Sequence, residues 1–136
     1  MTDTVNPTRS KDNIGQGCCL VVEDNTFAGD IICTFLRQRG FEVSFAGNGK
    51  QALALYLERP GRFDIIFMDL QMPVMSGYCA TECIRSSGHE DAGSIPIVAM
   101  SGEPLGGDME ARGFTHCLLK PFRMQDLLPI LAQLNR

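Results

Sequence analysis

Three acids, a hydroxyl and an ammonium stand at the ends of four short apolar runs. Cys18 to Val22 runs into Glu23-Asp24-Asn25, and Ile65 to Met68 into Asp69. Ile95 to Met100 runs into Ser101-Gly102, and Thr115 to Leu119 into Lys120-Pro121-Phe122. Apolar runs without polar alternation predict strands buried on both faces, the pattern of a parallel sheet. In parallel, these strands bring their terminal residues to one edge, where open α/β sheets bind ligands. Crowded carboxylates raise one another's pKa unless a cation joins them. Two carboxylates, a backbone carbonyl and waters make the usual oxygen shell of Mg²⁺. Asp69 is then placed to act as a nucleophile forming an acyl phosphate. Lys120 suits one phosphoryl oxygen as a point charge, and Ser101 can hydrogen-bond another.

The elements that would hold these groups alternate. Strands are expected over about 18–23, 41–46, 63–68, 95–100 and 115–119. The first helix is capped by Asn25 or Thr26, reaches Arg39 and ends at Gly40, with Ile31, Ile32, Phe35 and Leu36 on its inner side. The second runs from about Asn48 to Glu58, with Pro60-Gly61 as its stop. The third starts near Ser76 and ends before Gly88. A final helix over 124–134 contains Pro129, which predicts a kink or a late start. Between strands four and five, GEPLGGDMEARGF holds Pro104, Gly106 and Gly107. Gly costs about 1 kcal/mol in a helix interior and Pro more, so a short, frayed helix over 107–112 is expected there. Five βα units predict a doubly wound, three-layer α/β/α fold with a five-stranded parallel sheet. The flavodoxin-like strand order 2-1-3-4-5 suits the length, with helix four shortened.

Composition narrows the function classes. At 136 residues the chain fits one domain. Residues 1–16 are polar and read as a disordered tail or linker, leaving 17–136 as the domain. A net charge of −4, from 12 basic and 16 acidic residues, argues against nucleic-acid binding through a broad basic surface. No apolar segment approaches the ~20 residues that span a bilayer, and the N-terminus lacks the apolar stretch of a secretory signal. A cytoplasmic setting is the expectation. The six cysteines lack zinc spacings, although Cys79 and Cys83 stand i,i+4 on one helix. His89 and His116 have no paired Cys.

The runs LVVEDN (20–25), MDLQMPVMSG (68–77), IVAMSG (97–102) and LKPF (119–122) together resemble the receiver domains of two-component response regulators. They are most similar to receivers of hybrid histidine kinases and phosphorelays. The resemblance covers about residues 18–136. It implies Asp69 as phosphoacceptor. It also implies Mg²⁺ held by Glu23, Asp24, Asp69 and the Gln71 main-chain carbonyl, Ser101 as switch hydroxyl, Lys120 as phosphate-binding lysine and a cis peptide at Pro121. It further implies a histidine kinase or histidine phosphotransfer protein as donor, a conformational switch that regulates a partner, and no enzymatic turnover beyond self-phosphorylation and autodephosphorylation. Gln71 and Glu103 flank the site, where they would tune the lifetime of the aspartyl phosphate.

Two departures from the family lie near the switch. Cys117 stands where receivers carry an aromatic residue three positions before the lysine. Lys120 follows Ser101 by 19 positions, nearly one helical turn fewer than usual. Both fall on the usual output face, so pairing through it is not expected, and a monomer or weak dimer is. Two other readings compete. A phosphatase of the haloacid dehalogenase type needs an Asp two residues after the nucleophile, where this chain has Gln71. A degenerate receiver acting only as a scaffold would not need the complete acidic cluster and Lys120.

Overall fold

The computed structural model describes residues 17–59 and 61–135; the tail expected over 1–16, and Pro60, lie outside the described residues. The elements are β1 (Gly17–Val22), α1 (Thr26–Gln38), β2 (Phe41–Ala46), α2 (Gly49–Glu58), β3 (Ile65–Asp69), α3 (Gly77–Arg85), β4 (Ile97–Ser101), β5 (His116–Leu119) and α4 (Leu128–Ala132). All strand pairs are parallel and the sheet order is β2-β1-β3-β4-β5. The doubly wound arrangement expected from the apolar runs is the one present.

Alternation within each buried strand builds two cores. Leu20, Val22, Ile66, Met68, Ile97 and Ala99 face one way, toward Ala52 and Tyr56 of α2 and Ala80 and Ile84 of α3. Cys19, Val21, Ile65, Phe67, Val98 and Met100 face the other way, toward Ile32 and Leu36 of α1 and Ile130 and Leu131 of α4. Period-two side-chain direction in a strand requires this split. Both faces of β1, β3 and β4 are therefore covered, which is why their sequences show no polar alternation.

Helix starts follow local chemistry. The side chains of Asn25, Asn48 and Ser76 accept from the amides of Ala28, Gln51 and Cys79, at 3.0, 2.9 and 3.2 Å. Each satisfies one of the orphan donors of a first turn. Gly40, with φ 95°, supports the turn after α1. Pro129 gives the late start: a 3₁₀ turn over Met124–Leu127 comes first, and α4 begins at Leu128 with proline in its first turn.

Two positions differ from expectation. Ile31, placed on the inner side of α1, is 42% exposed, because Gly29, Ile32, Cys33 and Leu36 fill the buried stripe instead. The shortened fourth helix takes the form of hydrogen-bonded turns over 107–113, with Arg112 N–H donating to Asp108 O and Gly113 N–H to Glu110 O, both at 3.0 Å. Gly106 and Gly113 have positive φ, 61° and 102°, which closes both ends of the segment. Arg85 of α3 holds it in place: its guanidinium donates to Gly113 O (2.6 and 3.0 Å) and to Ala92 O (3.0 Å). Arg112 adds a cation–π contact, 3.9 Å above the Tyr78 ring.

Candidate functional site

The C-terminal ends of β1, β3, β4 and β5 lie side by side, and the pairing register sets what meets there. Asp69 pairs with Met100, and Ser101 with Leu119, so Ser101 and Lys120 reach one position beyond Asp69. Lys120 N–H donates to Ser101 O at 2.7 Å, fixing the ends of β4 and β5 together. The peptide bond between Lys120 and Pro121 is cis.

Glu23 and Asp69 are each 2% exposed, whereas Asp24 is open to solvent. Carboxylate oxygens of Glu23, Asp24 and Asp69 all lie within 4.8 Å of one another. Lys120 bridges the two buried ones: its Nζ stands 3.1 Å from Asp69 Oδ1 and 3.5 Å from Glu23 Oε1. Backbone amides complete the anion shell. Gln71 N–H donates to Asp69 Oδ1 and Asn25 N–H to Glu23 Oε2, both at 3.3 Å.

The electrostatics follow from that geometry. Burial, then the hydrogen bond and charge of Asp69, push the Glu23 carboxyl up to about 7, against the opposing pull of Lys120. For Lys120, burial opposes its charge. Its hydrogen bond to Asp69 and the two carboxylates more than offset this, and the ammonium sits above its ordinary value. Two buried carboxylates sharing one ammonium leave the site with surplus negative charge. Three oxygen donors of hard character, with no sulfur or imidazole among them, fit a hard divalent cation such as Mg²⁺.

The loop from β3 to α3 is tightly folded around Asp69. Gly77 N–H donates to Leu70 O at 3.2 Å, and Met75 N–H reaches back to Pro73 O at 2.8 Å. The residue between, Val74, has φ 72°, a strained conformation for a β-branched side chain, and it is 78% exposed.

Other residues singled out in the sequence fall as follows. Ser101 is 7% exposed at the end of β4, and its hydroxyl bonds the backbone of Glu103. Gln71 and Glu103 are both exposed beside the cluster. Cys117 is half-buried on β5; burial pushes its thiol up, and the neighbouring Leu105 amide draws it partly back. Cys79 and Cys83 are exposed on α3, and among the described residues the only grouped metal-ligating side chains are those around Asp69. His89 packs edge-on against Tyr56, and His116 bonds Thr115 and Gln133.

One feature escaped the sequence reading. Phe27 is 75% exposed on α1, one turn from Ile31. Two adjoining apolar hollows of about 560 and 430 Å³ share Ile31 and Met124 and run along this face; the first also touches Glu23 and Lys120. A second i,i+4 apolar pair, offset from the Ile32–Leu36 stripe, was the available signal.

A sequence profile of the response regulator receiver domain matches residues 19–132. The chain is 44% identical over 94 residues to hybrid signal transduction histidine kinase I of Dictyostelium discoideum, covering 67% of this chain and only 5% of that protein. In structure it is similar to chemotaxis protein CheY4 of Vibrio cholerae (TM-score 0.78, 30% identity, 87% of this chain and 98% of that one). It is also similar to the receiver domain of a sensor histidine kinase from Pseudomonas aeruginosa PAO1, described with magnesium coordinated in its active site cleft. There the TM-score is 0.76 and identity 34%, over 88% and 97% of the two chains. Among the described residues no helix is long and apolar enough to cross a membrane.

Proposed function

The chain belongs to the response regulator receiver domain family, and we propose that Asp69 is its phosphoacceptor. Receiver domains are signalling domains of two-component and phosphorelay systems rather than conventional enzymes. The observation that carries the assignment is the Asp69 carboxylate, buried at the end of β3, 3.1 Å from Lys120 Nζ and grouped with Glu23 and Asp24.

In the proposed step an Asp69 carboxylate oxygen attacks the phosphorus of a phosphohistidine. The P–O bond forms as the P–N bond breaks, and the electron pair leaves on the imidazole nitrogen. Glu23, Asp24, Asp69 and the Gln71 main-chain carbonyl would hold Mg²⁺, which when bound supplies positive charge against the transferring phosphoryl group. Lys120 holds one phosphoryl oxygen and Ser101 donates a hydrogen bond to another. The group's charge near −2 then biases the β4 end and the segment after it. Hydrolysis of the acyl phosphate returns the resting state. Gln71 and Glu103, exposed beside the site, tune that lifetime by obstructing or orienting the attacking water. Unchanged decay in Gln71→Ala and Glu103→Ala would remove them from this role.

The donor is a histidine kinase or histidine phosphotransfer protein. The apolar α1 face, with Phe27 and Ile31 exposed and its hollow reaching Lys120 and Glu23, supports docking of the donor there. The cytoplasmic setting belongs to the same proposal, in keeping with six cysteines that form no disulfide.

Incubation with Mg²⁺ and acetyl phosphate or phosphoramidate, followed by intact mass, tests the assignment. Wild type should gain one phosphoryl group, lost with EDTA and in Asp69→Ala. No gain in wild type would leave a scaffold, and turnover of many phosphoesters would make the protein a phosphatase.

A further inference from the structure

A hollow of about 520 Å³ lies between α3 and the turns over 107–113, and it touches none of the residues grouped around Asp69. It follows α3 from Tyr78 in the first turn to the C-cap Ser86. That is a rise of about 12 Å at about 1.5 Å per residue. Arg85 and Arg112 both line it, and Glu82 is the one carboxylate there. The hollow is thus locally positive on a chain whose net charge is −4.

Both cations are fixed by the protein itself. The Arg85 guanidinium donates to Gly113 O at 2.6 and 3.0 Å and to Ala92 O at 3.0 Å. Those bonds use three of the five N–H groups of a guanidinium, so two have no protein acceptor. Arg112 lies 3.9 Å above the Tyr78 ring, and Tyr78 packs edge-on against the buried Phe114. Among the described residues neither guanidinium belongs to an ion pair. Burial draws Arg85 below the usual arginine value, and the nearby Tyr56 and Asp91 restore only part of it. A half-buried cation without a counter-charge is unfavourable, and a bound anion relieves it. Cations already held in place lose little side-chain freedom on binding.

The ligand chemistry follows from the lining. A guanidinium meets a carboxylate in matched planar geometry. Glu82 repels the second charge of a phosphate, which favours singly charged carboxylates. A length of about 12 Å accommodates about four residues of extended chain at about 3.3 Å each, more than a lone anion fills. Tyr and Arg are the residue types that anchor protein interfaces. We propose that this hollow binds an acidic segment of a protein partner, with its carboxylates on Arg85 and Arg112. The surface is separate from the α1 face and does not require a phosphoryl group on Asp69.

The exposed thiols of α3 report on it, because Cys79 lines the hollow and Cys83 does not. The full chain is alkylated with iodoacetamide in low salt and EDTA, and both cysteines are quantified peptide by peptide. The probe is a capped five-residue peptide alternating Leu with Asp and Glu, against its Asn and Gln isostere and against inorganic phosphate. The acidic peptide should slow Cys79 about fivefold or more at saturation and leave Cys83 unchanged. The isostere and phosphate should do neither at the same concentration. Half-protection should need about five times more peptide in Arg112→Ala and less than wild type in Glu82→Gln, as for loss of one charge pair or one repulsion. Arg112 is exposed, and an unchanged urea midpoint and acetyl phosphate-dependent mass gain show that this variant is folded. No protection of Cys79 up to millimolar peptide overturns the proposal, as does equal protection by the isostere or an unaltered midpoint in Arg112→Ala. Equal protection by phosphate also overturns it, in favour of a small-anion site. Each of these results leaves the assignment of Asp69 standing.

Discussion

Gly77, the first residue of α3, lies directly against the backbone of Asp69. A Cβ at position 77 would overlap the Asp69 carbonyl oxygen and come within 2.9 Å of Leu70 Cα. Both opposing atoms are backbone and cannot rotate away. Helix α3 is therefore seated on the strand end that carries the proposed nucleophile, and the seat exists only without a side chain.

Gly77→Ala is expected to destabilise the fold by about 1–3 kcal/mol or more, the cost of overpacking a close-packed contact. It should also lower the rate of acetyl phosphate-dependent phosphorylation by moving Asp69. Gly102→Ala is the control: nothing stands within 4 Å of its would-be Cβ, and its urea midpoint should stay close to wild type. Equal midpoints for both variants would show that α3 can back away from β3.

Stability should respond to pH and Mg²⁺ together. Glu23 is raised from 4.5 to about 7. Between those values the folded protein keeps a proton that the unfolded chain has lost, so folding stability without metal falls as pH rises through this window. A divalent cation needs the carboxylate, so the rise in Tm caused by Mg²⁺ should grow from pH 5 to pH 8. Thermal melts in EDTA and in Mg²⁺ across that range check this. A Mg²⁺ increment that is flat with pH would separate Glu23 from the metal site.

The α1 face should matter to a protein donor and not to a small one. Phe27 is 75% exposed, so Phe27→Asp, alone or with Ile31→Asp, should leave stability and acetyl phosphate-dependent phosphorylation nearly unchanged. Transfer from a phosphorylated histidine phosphotransfer domain should slow by about tenfold, as for loss of a 1–2 kcal/mol interface anchor. Equal loss with both donors would mean that the substitution damages the site itself.

Arg85→Ala should loosen the segment that stands where a helix is usual. Its guanidinium serves the carbonyls of Gly113 and Ala92, and hydrogen bonds to charged groups contribute about 1.5–3 kcal/mol each. Hydrogen exchange should accelerate over 107–113 and 89–95 while the β1, β3 and β4 amides stay protected. Uniform acceleration would indicate global destabilisation instead.

What could be read from the chain, and what could not, divides along the range of the interactions. Asp69, Ser101 and Lys120 were legible because each closes an apolar run, and a parallel sheet brings run ends together whatever lies between. Asn25, Asn48 and Ser76 were legible because capping is decided within three residues. Ile31 was misplaced because two overlapping apolar stripes on α1 share the period of one helix, and only packing shows that Ile32 and Leu36 form the buried one. The turns over 107–113 depend on Arg85, 28 residues before Gly113, and no local pattern announces that bond. The Ser101–Glu103 bracket is local, yet a hydroxyl at a strand end has many partners within reach, and only the fold selects one.

The phosphoryl group is expected on Asp69 as an acyl phosphate. Borohydride reduces an acyl phosphate to an alcohol, converting aspartate to homoserine. After treatment with acetyl phosphate and Mg²⁺, then borohydride, fragment-ion sequencing should locate homoserine at position 69 and nowhere else. Unmodified aspartate at 69, or a phosphoryl group that survives on a serine, histidine or another carboxylate, would contradict it.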